Sequence, residues 1–288
     1  MWPVYALLNP LSESLKGVFS KKASSKIDWV YVTWFNNLIP MIFFFPLVFF
    51  IDFRFNAAFW IGFAVSANIN LITVFFYHKS ISLGDISEVV PMTAFTPLFM
   101  ILTSPLIAGE YPTAPAIAGI LLIVVGSYML NIKKISGDFL APLKSLVINK
   151  GTRYMLYVAV LWSISANFDK IAIRNASIWQ YIMMMNTYIA LMSTIYIGVK
   201  KRFDMNPVRQ SFGNLFMVGF FTTTSWILHF MALALTYVAY VVALKRLAGL
   251  FSVGFGYFIF GDKNILSRLA AAIIMLTGVL LIIFSDKF

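Results

Sequence analysis

Two adjacent cations, Lys245 and Arg246, sit in the middle of Val241-Val242-Ala243-Leu244-Lys245-Arg246-Leu247, inside an apolar stretch of membrane-spanning length. A charge at bilayer depth costs at least ~2.5–3.5 kcal/mol, so such residues line a cavity, pair with acids or bind a ligand. Arg presents a planar fork that matches carboxylate or phosphate oxygens, and Lys a compact point charge. Neighbours on a helix point about 100° apart, so both reach one ligand only if it lies between their directions. The alternative is that one cation faces a cavity while an acid such as Glu88 or Asp169 neutralises the other.

The remaining chemistry-bearing residues are scattered over other apolar stretches. Glu13 and Lys16 are three apart and share a helix face, so they can neutralise each other; the alternative is that burial lets Glu13 bind and release a proton. Asp169 and Lys170 lie nearer the end of their stretch, where Lys170 can snorkel with Arg174. Lys16, Asp169 and His229 are therefore secondary candidates; His229 titrates near physiological pH or is a packed core residue beside Trp226 and Tyr237. Asn36, Asn186, Tyr77 and Tyr240, with Asn68, Asn70 and Thr73, are candidates to complete a pocket, although amides inside a bilayer also simply join helices. The run Met183-Met184-Met185 wraps round a helix and reads as gap-filling. No nucleophile–base set, nucleotide loop or metal-ligand cluster is visible, and the chain has no cysteine and two histidines. Neither an enzyme nor a cofactor or metal is expected.

The elements that must hold these residues follow from composition. The 288 residues are 60% hydrophobic and 11% charged, with a mean hydropathy of +0.85, which describes a polytopic membrane protein. Runs of about 20 apolar residues lie near 4–20, 29–51, 57–78, 85–108, 113–132, 152–174, 178–199, 212–235, 237–260 and 265–284. The expected fold is all-α, with ten transmembrane helices and no cleavable signal, since the first run carries Asn9, Pro10, Glu13 and Lys16.

The net charge of +11 belongs to orientation rather than nucleic-acid binding. Of the 22 Lys and Arg residues, 15 fall in loops after odd-numbered spans, among them Lys21, Lys22, Lys26, Lys79, Lys144, Arg153 and Arg209. Only Arg54, Arg174 and Lys287 fall on the opposite side, and Lys16, Lys170, Lys245 and Arg246 lie within spans. The positive-inside rule makes the odd loops cytoplasmic and puts both termini on the other side, in a plasma-membrane protein that works as a monomer or homodimer.

The chain also repeats itself. Gly109-Glu110 corresponds to Gly261-Asp262, Gly126 to Gly278 and Leu83 to Leu235, all at an offset of 152 residues. Trp29, Tyr31 and Asn36 match Trp179, Tyr181 and Asn186, and Leu8 matches Leu161. Two five-span units, 1–132 and 151–288, joined by a polar linker 133–150, are expected. An odd number of spans per unit inverts the second, the architecture of alternating access with a site near the midplane. Glu110 and Asp262 sit after helix-ending glycines and are expected to cap the following helix. Pro91, Pro97 and Pro105 should kink or unwind the fourth span, a candidate moving gate.

Pro97-Leu98 through Gly109-Glu110-Tyr111 to Gly126-Ser127-Tyr128, echoed by Phe251-Ser252-Val253-Gly254 through Gly261-Asp262-Lys263 to Gly278-Val279, resembles the drug/metabolite transporter superfamily, specifically its EamA-like ten-helix branch. The resemblance covers essentially the whole chain and implies transport of a small molecule across a lipid bilayer. Members of the superfamily usually keep both termini in the cytoplasm, opposite to the charge count. Lys245-Arg246 resembles the pair with which triose-phosphate translocators grip phosphate, and Glu13 lies where small multidrug resistance proteins keep an essential acid. Three readings follow: transport of a small phosphate- or carboxylate-bearing anion through Lys245 and Arg246; export of amino acids or amphipathic cations through Glu13 or Asp169; and flipping of a lipid-linked phosphate.

Overall fold

The computed structural model describes residues 1–52, 54–131, 140–199, 206–260 and 268–285, which are helical almost throughout, with no strand among them. The helices are α1 (Trp2–Ser24), α2 (Trp29–Phe44), α3 (Ala57–Leu83), α4 (Ile86–Val89), α5 (Thr96–Ala108), α6 (Ala114–Asn131), α7 (Ala141–Ile148), α8 (Lys150–Arg174), α9 (Ile178–Val199), α10 (Asn206–Leu235), α11 (Val238–Lys245), α12 (Ala248–Phe260) and α13 (Leu269–Ile283). Seven stretches are long and apolar enough to cross a membrane: Val30–Phe49, Ala57–Leu83, Val90–Ala108, Lys150–Arg174, Ile178–Val199, Val208–Leu235 and Val238–Ile259. Ala114–Leu130 and Leu269–Ile283 are shorter apolar helices. The 23-residue α1 is long enough but carries Glu13 and Lys16.

Local sequence sets the helix starts. Asp28, Asn56 and Asn149 each accept a backbone N–H of the first turn, from Val30, Phe59 and Gly151 at 3.0, 2.9 and 2.7 Å. Ser177 and Gln180 form a reciprocal capping box that opens α9. Gly109 ends α5 in the left-handed region at φ 67°, and the Glu110 N–H closes back on the Ser104 carbonyl at 3.2 Å.

Two spans are interrupted, the fourth at the prolines expected to kink or unwind it and the ninth against expectation. The fourth has a 3-10 stretch, Val90–Phe95, between α4 and α5, where Pro91 supplies no N–H and Pro97 sits in the first turn of α5. The ninth breaks at Arg246-Leu247, between α11 and α12, without a proline. Its bonds tighten to i→i+3, from the N–H groups of Arg246, Leu247 and Gly249 to the carbonyls of Ala243, Leu244 and Arg246 at 3.0, 3.0 and 3.1 Å. Within the stretch expected as a polar linker, α7 is a short helix packed against α4 and α8, with Leu143 and Leu146 against the core.

α3 packs along α8, α1 along α10, and α6 along α13, with α2 against α9 and α10. The α6–α13 contact depends on small residues. A Cβ on Gly119 would overlap the Gly278 carbonyl, and one on Gly278 the Gly119 carbonyl, while Gly126 packs on the Ala271 carbonyl. Gly119→Ala or Gly278→Ala should destabilise the protein by about 1–3 kcal/mol through overpacking. Gly17→Ala on α1, with nothing near its added Cβ, should leave the detergent-solubilised melting temperature at the wild-type value or above.

Candidate functional site

Asn9, Glu13 and Lys16 recur at helical spacing on one face of α1, which packs on α10, α11 and α12. Glu13 is bonded to Lys16, sits 3.5 Å from Lys245 Nζ at the end of α11, and accepts a 2.6 Å hydrogen bond from Ser225 Oγ of α10. Asn9 Nδ2 fixes that serine by donating to its Oγ and carbonyl at 2.9 and 2.8 Å. Ser14 and Ser252 join α1 to α12 at 2.8 Å. The acid paired with Lys245 is therefore Glu13. Glu88 lies at the far end of α8, where Asn149 Nδ2 donates to it at 3.3 Å.

The Arg246 side chain makes no ion pair or hydrogen bond among the described residues, and its Nε is buried without a partner. His229, one turn beyond Ser225 on α10, is within electrostatic reach of Lys245 and Glu13, and its Nδ1 is also buried and unpartnered. Five of the sequence candidates, Glu13, Lys16, His229, Lys245 and Arg246, thus meet in one cluster where three cations face one acid. The helix break, rather than a continuous helix, presents the Lys-Arg pair.

Asp169 forms a second polar centre between α8, α3 and α9. Ser66 and Tyr181 both donate to its Oδ1, and Asn70 Nδ2 donates to the Ser66 carbonyl and Oγ at 3.0 and 3.2 Å. Lys170, its neighbour on α8, turns away to the carbonyls of Leu233 and Thr236 that end α10.

The other candidates lie elsewhere. Asn36 joins α2 to α10 by accepting from Thr222 Oγ1 at 2.6 Å. Asn186 is wholly buried and donates to the Ile182 carbonyl one turn back at 2.9 Å. Tyr77 lies against Trp162 of α8 with ring centroids 6.1 Å apart. Tyr240 is buried at the end of the bundle, where its hydroxyl accepts from the Thr113 N–H at 3.3 Å and its ring faces Trp2. Asn36 and Tyr240 join helices and Asn186 bonds within its own, and among the described residues none of these three side chains is hydrogen-bonded or ion-paired to Glu13, Lys245 or Arg246.

Glu110 is placed differently from the expectation. It is 2% exposed and caps α11 rather than α6: its Oε2 accepts from the Val238 N–H at 2.7 Å. Its Oε1 meets Arg174 at 2.8 Å and Lys170 at 3.5 Å, and Arg174 also donates to the Ala108 carbonyl at 3.0 Å. One carboxylate thus clasps the α5–α6 turn to α8 and α11. Asp262, its repeat counterpart, lies outside the described residues.

Sequence reasoning missed Asn9, Ser225, Ser66 and Tyr181 as partners of the charges. Asn9 had a signal, one turn from Glu13 on the same face; Ser225 and Ser66 had none, being hydroxyls in long apolar helices.

A helical bundle with several membrane-length apolar helices and charges gathered at a broken span is the form of a polytopic membrane protein. The sequence model of the EamA-like transporter family matches residues 1–132 and 149–284, and the chain belongs to that family, a branch of the drug/metabolite transporter superfamily whose members carry small molecules across membranes and are not enzymes. No curated protein matches the chain. Among solved structures, one described only as "Crystal structure of protein" is similar at a TM-score of 0.76 and 14% identity, over 98% of this chain and 96% of its own. That similarity shows the fold alone.

Glu110→Gln should cost about 3–5 kcal/mol, because it leaves Lys170 buried without its acid. Arg174→Gln should cost about 1 kcal/mol or less, since that side chain is 49% exposed. Urea unfolding followed by tryptophan fluorescence would rank the two.

Proposed function

We propose that the protein is a secondary transporter that moves a small phosphate- or carboxylate-bearing metabolite by alternating access between two inverted five-helix repeats, 1–132 and 151–288, joined by the linker 133–150. The observation that carries the substrate class is Arg246, a guanidinium within a membrane span whose Nε is buried without a partner beside Lys245. Lys16, Lys245 and Arg246 outnumber Glu13 by two charges, which a dianion balances. Buried charge is tolerated when it is paired and hydrogen-bonded, so a ligand that bridges Lys245 and Arg246 completes what the protein alone leaves open. The Arg fork takes two ligand oxygens and the Lys ammonium another, while Glu13 stays with Lys16.

The ten-span count is supported by adding α1, α6 and α13 to the seven long apolar stretches. Inversion is supported by direction. The start of α1 (Trp2) lies with the ends of α5 and α8 (Ala108 and Arg174) and the start of α11, linked through Tyr240, Thr113 and Glu110. Equivalent helices α1 and α8 then run oppositely. From Gly119 to Gly126 the partner on α13 moves from Gly278 back to Ala271, so the last helices of the two repeats are antiparallel as well. The loop charges favour cytoplasmic odd loops and outside termini in the plasma membrane.

Thermal unfolding of the purified protein against phosphorylated metabolites, dicarboxylates, amino acids and cationic dyes tests the reading. A ligand present at 100 times its Kd stabilises by about 2.7 kcal/mol. An anion should raise the wild-type melting temperature and lose most of that effect in Lys245→Ala and Arg246→Ala. Stabilisation by cations or zwitterions alone, unchanged in both variants, would overturn it.

A further inference from the structure

We infer that Asp169 is a proton-binding site linked to occupancy of the Lys245–Arg246 pair, so that anion and proton enter the protein together. The inference rests on the anionic reading of that pair. Asp169 is 8% exposed and has no cation within ion-pair distance among the described residues. Its partners are hydroxyls, Ser66 from α3 and Tyr181 from α9, and both donate to Oδ1. No partner is present on Oδ2 among the described residues, which leaves that oxygen free to take a proton. Glu13 is unsuited to the role because Lys16, Lys245 and Ser225 occupy its carboxylate.

The groups facing Asp169 define the linkage. Tyr181 comes from α9, and Lys245, at the end of α11, is within electrostatic reach. On α8, Lys170 is engaged by the Leu233 and Thr236 carbonyls and by Glu110. α5 contains no ionisable residue, and the first one beyond Ser66 on α3 is Tyr77, about three turns away. His229 on α10 faces Lys245 and Glu13. Among the described residues, Lys245 thus contacts Glu13 and lies within longer electrostatic reach of Asp169. An anion bound to Lys245 brings negative charge toward Asp169 and offsets the ammonium that favours its ionised form. In a poorly screened interior, a proton on Asp169 restores the balance. Linkage is reciprocal, so the protonated carboxyl strengthens anion binding by the same factor.

Infrared difference spectroscopy of the full-length protein in lipid, between pH 9 and pH 5, reads the carbonyl stretch of protonated carboxyl groups without requiring a known substrate. The wild type should show a band that Asp169→Asn lacks and Glu88→Gln keeps. Lys245→Gln should enlarge it at pH 7, because the cation that favours the ionised form is gone. Ser66→Ala and Tyr181→Phe, each removing one donor, should enlarge it too and serve if Asp169→Asn does not fold. A band that persists in folded Asp169→Asn, or that none of the other three variants alters at pH 7, overturns the inference. If the band behaves as expected while the ligand panel yields only cations, the anionic reading fails and the proton site stands.

Discussion

A charge inside a bilayer has to find its partner within the protein, and Glu13 meets that requirement for three helices at once. Its carboxylate takes Lys16 from its own helix, Lys245 from α11 and the Ser225 hydroxyl from α10. Loss of that acid would leave adjacent cations facing each other, so the packing of α1 against α10 and α12 and the pairing of the charges are one constraint. Glu110 repeats the device at the bundle end, with Lys170, Arg174 and the first N–H of α11.

The two carboxylates are connected by α11 itself. This eight-residue helix is buried from Val238 to Leu244; Glu110 holds its first N–H, and Lys245 at its last residue meets Glu13. Beyond the break, α12 is far less buried. A short buried helix therefore runs from the clasped end of the bundle to the charge centre, with the break past it. Whatever displaces Glu110 moves the N-terminus of α11, and the other end of that helix carries the cation proposed to bind substrate.

Hydropathy and charge made the membrane class and most helix positions legible, because a span must be apolar whatever it packs against. The meeting of Glu13 with Lys16 was legible at i, i+3, and Lys245 with Arg246 stood out as intramembrane charge. The acid that answers Lys245 was not legible, since Glu13 lies more than 200 residues away and only packing brings α1 to α11. Tyr77 and Tyr240 show the converse limit: aromatic residues in apolar helices carry no sequence mark that separates a pocket wall from a helix contact. The break after Lys245 has no proline to announce it, whereas Pro91 announces the one in the fourth span.

Under the proposed two-repeat arrangement, the internal sequence match separates packing positions from charged ones. At the 152-residue offset, Lys245 and Arg246 stand opposite Thr93 and Ala94, in the other interrupted span. With Leu8 aligned to Leu161, Lys16 stands opposite Asp169 and Glu13 opposite Ala166. At Glu13, Lys16, Lys245 and Arg246 the two halves differ in charge, although both keep an acid at Glu110 and Asp262, and small residues at the α6–α13 contact recur in both as Gly119 with Ala271 and Gly126 with Gly278. Backbone packing needs the same small volumes in each half, so it keeps the repeat. A polar solute has unlike ends, and a site with identical charges on both halves would hold neither end in preference. Breaking the symmetry at these positions leaves the helical frame intact and gives the interior a cationic side at α1 and the α11–α12 break, and an acid at Asp169 of α8.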